Sequence, residues 1–148
     1  MTSGYSMKNI LETFFSNYLK AFESYDLAAV SNCYAIPCTL NTPEKIVLID
    51  DIDSCQKEFD AIFKQLKQEN MKEIRVKQSS FIKMTNYLVL ASINWQFVDV
   101  GGEVFASFCA VYYIVVEENQ NQKSCKIVNI ASHHDESSIK LASSFTIK

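Results

Sequence analysis

Arginine is almost missing from this chain: of its fourteen basic residues only Arg75 is an arginine, and the rest are lysines. Bidentate recognition of phosphates, carboxylates and guanines depends on the guanidinium fork, so a nucleic-acid or phosphoprotein reader is not expected. No run approaches the roughly 18 apolar residues that span a bilayer. The polar start, Met1 to Lys8, leads into an amphipathic segment and lacks the h-region of a signal peptide. The expectation is therefore no membrane, no export and a cytoplasmic location. The five cysteines, Cys33, Cys38, Cys55, Cys109 and Cys125, form no C-x-x-C pair with a matching second pair or a nearby histidine. Reduced, mostly buried thiols are the favoured reading, with a disulfide or metal role for the neighbouring Cys33 and Cys38 as the alternative. G-x-G-x-x-G, G-x-x-x-x-G-K, G-x-S-x-G and H-E-x-x-H are all absent, so no nucleotide, hydrolase or zinc motif directs the reading.

What is present is an ordinary globular balance over 148 residues, 48% hydrophobic and 21% charged with a net charge of -3, enough for one domain with its own core. Ten Phe, seven Tyr and one Trp make the chain rich in aromatics. Ile10, Leu11, Phe14, Phe15, Tyr18, Leu19 and Phe22 recur along one helical face and predict a first helix. Asp26 offers an N-cap to a short second helix, Leu27 to Cys33, which must end before Pro37. Pro37 to Leu40 and Ile46 to Ile49 flank Asn41-Thr42-Pro43-Glu44 and read as a small hairpin. Asp50 or Asp51 caps a third helix with Ile52, Cys55, Phe59, Ile62, Phe63 and Leu66 on its apolar face and Lys57, Glu58, Asp60, Lys64 and Lys67 opposite.

After Asn70 the pattern turns to β-branched and aromatic residues in four long runs: Ile74 to Met84, Tyr87 to Val98, Val104 to Val116 and Cys125 to His133. Turn residues separate them, so they predict an antiparallel meander. Three helices followed by such a sheet imply an α+β cone, a strongly curved antiparallel sheet wrapped around the N-terminal helices with a cavity at the open end. One domain spans 1–148, with a core of about 7–134 and a tail 135–148; Met1 to Ser6 and the tail read as mobile or partner-dependent. In the second run the odd positions, Tyr87 to Phe97, are the more apolar and should face the cavity. The even set, Leu88 to Val98, is half apolar too, as is the tyrosine-rich run Ala110 to Val115, which suggests a homodimer through the outer face of the sheet.

Three local phrases carry a resemblance. Tyr18-Leu-Lys-Ala-Phe-Glu-Ser-Tyr-Asp26-Leu, Trp95 with Asp99, Gly101 and Gly102, and Asn41-Thr42-Pro43 stand in the right order. The chain resembles the nuclear transport factor 2-like superfamily, which includes ketosteroid isomerase and the polyketide cyclases, over residues 7–134. The resemblance implies the cystatin-like α+β cone and a dimer through the outer sheet face. It also tests the isomerase chemistry, which needs a carboxylate base, a tyrosine and a neutral carboxylic acid, a pattern documented for that enzyme. Tyr18 falls at the tyrosine's place, but Thr42 stands at the base position, and Val104 to Val116 contains no Asp or Glu. A threonine hydroxyl cannot serve as that base at neutral pH, so steroid isomerase activity is not expected.

Matching the last strand onto the family's turns Ile130, Ser132 and His134 inward and His133 outward. His134 could then act as acid or base at the mouth, with Asp135 fixing its tautomer and Tyr18 donating a hydrogen bond; two surface histidines beside an acid are the alternative. Adjacent strand residues point apart, so His133 and His134 do not chelate one metal ion. Tyr18, Tyr34, Thr42, Trp95, Ile130 and His134 are the expected ligand-binding residues, with no cofactor and no metal. The leading expectation is a dimeric domain whose cone binds a small apolar or neutral molecule. The alternatives are a cyclase, dehydratase or isomerase using His134 and Asp135, and an interaction module whose cavity is filled.

Overall fold

The computed structural model describes residues 6–134 and 139–148. Helix α1 (Met7–Glu23) starts where the Ser6 side chain accepts the Asn9 amide at 3.2 Å, and α2 (Leu27–Ser31) starts where Asp26 accepts the Ala29 amide. Each cap satisfies one of the amides that a helix start leaves without a partner. Strands β1 (Tyr34–Asn41) and β2 (Ile46–Ile49) form the small hairpin, and α3 (Ile52–Gln68) is capped by Asp51, which accepts from Ser54 at 2.7 Å. The long strands β3 (Met71–Lys83), β4 (Leu88–Asp99), β5 (Val104–Asn119) and β6 (Gln122–His134) follow, and β7 (Ser143–Ser144) closes the chain.

All seven strands join one sheet in the order β2-β1-β6-β5-β4-β3-β7. The meander β3 to β6 is antiparallel throughout, but β1 pairs with β6 in parallel, a departure from the all-antiparallel expectation. The reason is topological. After the hairpin, α3 carries the chain to β3 on the far side of the sheet, and the meander then returns strand by strand until β6 lies beside β1 with the same direction. Register shifts between Phe97 and Val98 and between Tyr113 and Ile114 bend the strands, and the bent sheet curves over the helices. The β5–β6 turn has positive φ at Gln120 (53°) and Asn121 (66°), the pair of left-handed residues that matches strand twist in a tight hairpin. Gly102 (φ 85°) does the same work after β4, where Asp99 Oδ1 accepts the Gly101 and Glu103 amides.

The inner face of the sheet and the helices share one core. Val89, Ala91, Ile93 and Trp95 of β4 meet Phe15, Tyr18 and Phe22 of α1 there. Tyr87, expected to point inward with them, lies outside β4 and is 63% exposed. The tyrosine run on β5 divides between the faces: Tyr112 is buried, whereas Tyr113 is 37% exposed.

The tail differs most from expectation. Ile139 accepts a hydrogen bond from Ser92 Oγ at 2.6 Å, the Leu141 amide donates to Ser80 Oγ, and β7 pairs with the edge strand β3. Phe145 is then buried between Phe15 and Phe81, each ring centroid 5.9 Å away. Thr146 and Lys148 donate backbone amides to Glu12 and Ser16 of α1. Residues 139–148 thus pass from the outer face around the edge of the sheet to α1, and Ser92 of the supposed dimer face is buried under them. A serine track and one aromatic anchor hold this strap, a pattern that periodicity cannot reveal. The expectation for Met1 to Ser6 lies, apart from Ser6, outside the described residues.

Candidate functional site

The open end of the cone holds a cavity of about 170 Å³ lined from four directions. Helix α1 contributes Tyr18, Leu19 and Phe22, because the aromatic stripe that packs on the sheet also reaches the open end. Helix α3 contributes Glu58, Phe59 and Ile62, the hairpin Leu40, Asn41, Thr42, Lys45 and Val47, and the inner sheet face Trp95, Phe97, Phe108, Tyr112, Ile130 and Ser132.

The inner end is a cluster of aromatic rings carrying polar hydrogens. Tyr18 and Tyr34 share a hydroxyl–hydroxyl bond of 2.6 Å, and Trp95 Nε1 donates to the Tyr112 hydroxyl at 2.7 Å. Tyr18 bridges the two pairs, its ring 6.0 Å from Tyr112 and 6.1 Å from Trp95, and its hydroxyl also bears on the Tyr112 phenol. Burial pushes the pKa of all three phenols up, and it outweighs the hydrogen bonds that lower Tyr34 and Tyr112. The cluster is therefore neutral at physiological pH. It holds four polar hydrogens, three O–H and one N–H, and the two direct bonds use two of them. A Tyr18–Tyr112 contact uses at most a third, so at least one O–H remains for an acceptor placed in the cavity.

The mouth is different in kind. Thr42 and Lys45 are exposed on the hairpin turn, where the Thr42 hydroxyl accepts the Glu44 and Lys45 amides. Glu58 of α3 also borders the cavity and is half-buried. It is the only carboxylate among the described lining residues. Its helical face was expected to be solvent-facing, but the curved sheet wraps far enough around α3 to draw Glu58 into the wall beside Phe59 and Ile62 of the apolar face.

Of the expected ligand-binding residues, Tyr18, Tyr34, Thr42, Trp95 and Ile130 line one cavity. His134 does not line it. It is exposed at the end of β6, opposite Phe108, two pairs beyond Ser132. Asp135 lies outside the described residues, so the His134–Asp135 pair has no geometry here. Sequence reasoning missed Tyr112 and Glu58; for Tyr112 a usable signal was the pairing of the Ala110–Val115 run with β4, which sets Tyr112 opposite Ala91 on the inner face. All five cysteines are free, four of them buried. Burial pushes the Cys33 thiol up to about 11 and Cys125 to about 12, which leaves neither as a ready nucleophile. Among the described residues no three His, Cys, Asp or Glu side chains converge as a metal site, and no helix is long and apolar enough to cross a membrane.

Comparison with known proteins agrees with this architecture. A family model described as "NTF2-like protein (DUF6841)" matches residues 8–135. No curated protein matches the chain. Among solved structures, the yeast UBP3-associated protein BRE5 superposes with a TM-score of 0.66 at 17% identity, covering 93% of this chain and 100% of that one. A cystatin-like protein of unknown function from Nostoc punctiforme gives 0.64 at 12% identity, covering 92% and 98%. A ketosteroid isomerase-like protein from Erwinia carotovora atroseptica gives 0.63 at 14%, covering 85% and 94%. At these identities the likeness is one of fold alone.

Proposed function

The chain belongs to the NTF2-like family of the DUF6841 model, and from that premise we propose that its cone is a receptor for one small molecule with an apolar body and a hydrogen-bond acceptor at its inner end. The observation that carries this is the tyrosine cluster, buried at the end of an otherwise apolar cavity and holding a polar hydrogen to spare. Such a site is apolar in its walls and specific at one point, the usual anatomy of small-ligand pockets.

Size narrows the class. An apolar cavity of about 150 Å³ takes up benzene, so about 170 Å³ suits one ring with a short arm. A four-ring steroid is too large. Arg75 pairs with Glu73 on β3 and lines no part of the site, so no arginine clamp favours an anion. The reading assigns no acid–base step to His134 or Asp135.

Calorimetric titration of the full chain with 4-ethylphenol, a ring with one oxygen and a two-carbon arm, tests the reading. Saturable one-to-one binding that weakens about tenfold in Tyr34→Phe is expected, the worth of one hydrogen bond in a dry site. Absence of binding to the folded protein overturns it, and favours a closed interaction module.

A homodimer through the outer face of the sheet belongs to the same proposal, on the strands the strap leaves open. Leu48, Thr39, Asn129 and Tyr113 follow one another across β2, β1, β6 and β5 on that face. Leu48 is 64% exposed, and Ile46 beside it is 76% exposed. Exposed aliphatics in such a row favour a covering partner. Sedimentation at micromolar concentration showing only a 16.9 kDa species would remove the dimer.

A further inference from the structure

We propose that Glu58 makes the cavity selective for a small amine, held with its ring against the tyrosine cluster and its ammonium at the mouth. This rests on the receptor reading above and adds the charge of the ligand to it.

Three features of the site converge on a cation. The first is the wall. Phe59, Phe97 and Phe108 line the cavity together with Tyr34 and Trp95 of the inner cluster, and an aromatic face carries a negative quadrupole that attracts ammonium and repels carboxylate. The second is Glu58 itself, the one carboxylate among the described lining residues. It rides on the rigid helix α3, directly before Phe59, whose ring packs 4.9 Å from that of Tyr34, and one turn before Ile62. Its backbone is therefore fixed, and its side chain is half-buried at the rim. The third is the weakness of its competitor. Lys45 also borders the cavity, but it stands exposed on a turn whose neighbours Pro43 and Glu44 are exposed as well. A lysine there keeps its ammonium hydrated, and fixing it on a ligand costs side-chain entropy.

Size and charge balance agree. A ring with a two-carbon arm fills about 170 Å³ and leaves the ammonium at the rim, where water still reaches it. The charge is then paired without being stripped bare, which avoids the heavy desolvation of a buried ion. The net charge of -3 biases the approach of a cation in the same direction.

The experiment is calorimetry on the full chain with three probes of one shape: tyramine, neutral 4-ethylphenol and anionic 3-(4-hydroxyphenyl)propionate. Tyramine should bind about five- to tenfold tighter than 4-ethylphenol, the scale of a partly desolvated cation contact, and the propionate weaker than both. Glu58→Gln should erase the advantage of tyramine over 4-ethylphenol, and Lys45→Gln should preserve or widen it. Equal binding of tyramine and 4-ethylphenol, or an advantage that survives Glu58→Gln, overturns the amine assignment while the receptor reading stands. Tighter binding of the propionate assigns the mouth to Lys45 and overturns it as well. No binding of any probe overturns both readings. Should Glu58→Gln fail to fold, the wild-type advantage must shrink as salt is raised, and an advantage indifferent to salt overturns the proposal.

Discussion

Strands β4 and β5 present two faces with the same alternation, but what covers each face differs, and so does the use made of its polar atoms. On the inner face Trp95 and Tyr112 bond to each other beneath the aromatic residues of α1, and hydrogen-bonding capacity is left over toward the cavity. On the outer face Ser92 is consumed by the Ile139 carbonyl, just as Ser80 of β3 is by the Leu141 amide, while on the neighbouring strands Asn129 accepts from both Thr39 and Asn41. Buried polar groups must find partners on either face. Where the partner is the backbone of the chain's own tail, the group only builds structure. Where the partners are other hydroxyls around a space, one hydrogen remains for a ligand.

The sharpest way to break this comparison is to remove the ring that both coverings share. Phe15 is fully buried and touches Tyr18, Tyr112 and Phe145. Phe15→Ala should cost about 3–5 kcal/mol in urea unfolding and loosen cavity and strap together. Phe145→Ala should cost less, about 2 kcal/mol, and act locally. Hydrogen exchange should rise in residues 141–148 and along β3 while β5 and β6 stay protected; a uniform loss would mean that the strap is an integral part of the core.

High pH separates the faces in another way. Tyr18, Tyr34 and Tyr112 have folded-state pKa values raised above 10.0 by burial, so the folded protein holds their protons more tightly than the unfolded chain. Their contribution is complete below pH 10 and is lost as pH rises from there toward the folded values. Tyrosinate absorbance should show these three ionising only with unfolding. Independent titration of all of them before unfolding would contradict a dry cluster. The smallest effect belongs to the outer row. Tyr113→Ala should change monomer stability by no more than about 0.5 kcal/mol, and a larger, concentration-dependent loss would be the signature of the dimer.

Much of this was legible from local pattern. The stripe Phe14, Phe15, Tyr18 and Phe22 placed α1, and the caps Asp26 and Asp51 placed the starts of α2 and α3, while the family resemblance turned Ile130 inward, where it lines the cavity. Tyr87 misled because alternation continues past the end of β4, where the side chain is exposed although its carbonyl still accepts the Val116 amide. Glu58 misled because a helical wheel names the polar side of α3 but not how far a curved sheet reaches around it. His134 was turned inward by matching β6 onto the family's last strand; it pairs with cavity-lining Phe108, but at the strand end its side chain is exposed and does not line the cavity.

By itself the sequence determined the order of the helices and long strands and the apolar side of most of them, because periodicity and caps act over a few neighbours. Tertiary structure alone decided that Tyr18, Tyr34, Trp95 and Tyr112 form one hydrogen-bonded cluster, that Glu58 borders the cavity and that the tail straps the sheet. Those contacts join residues distant in sequence, and only the curvature of the sheet brings them within reach of one another.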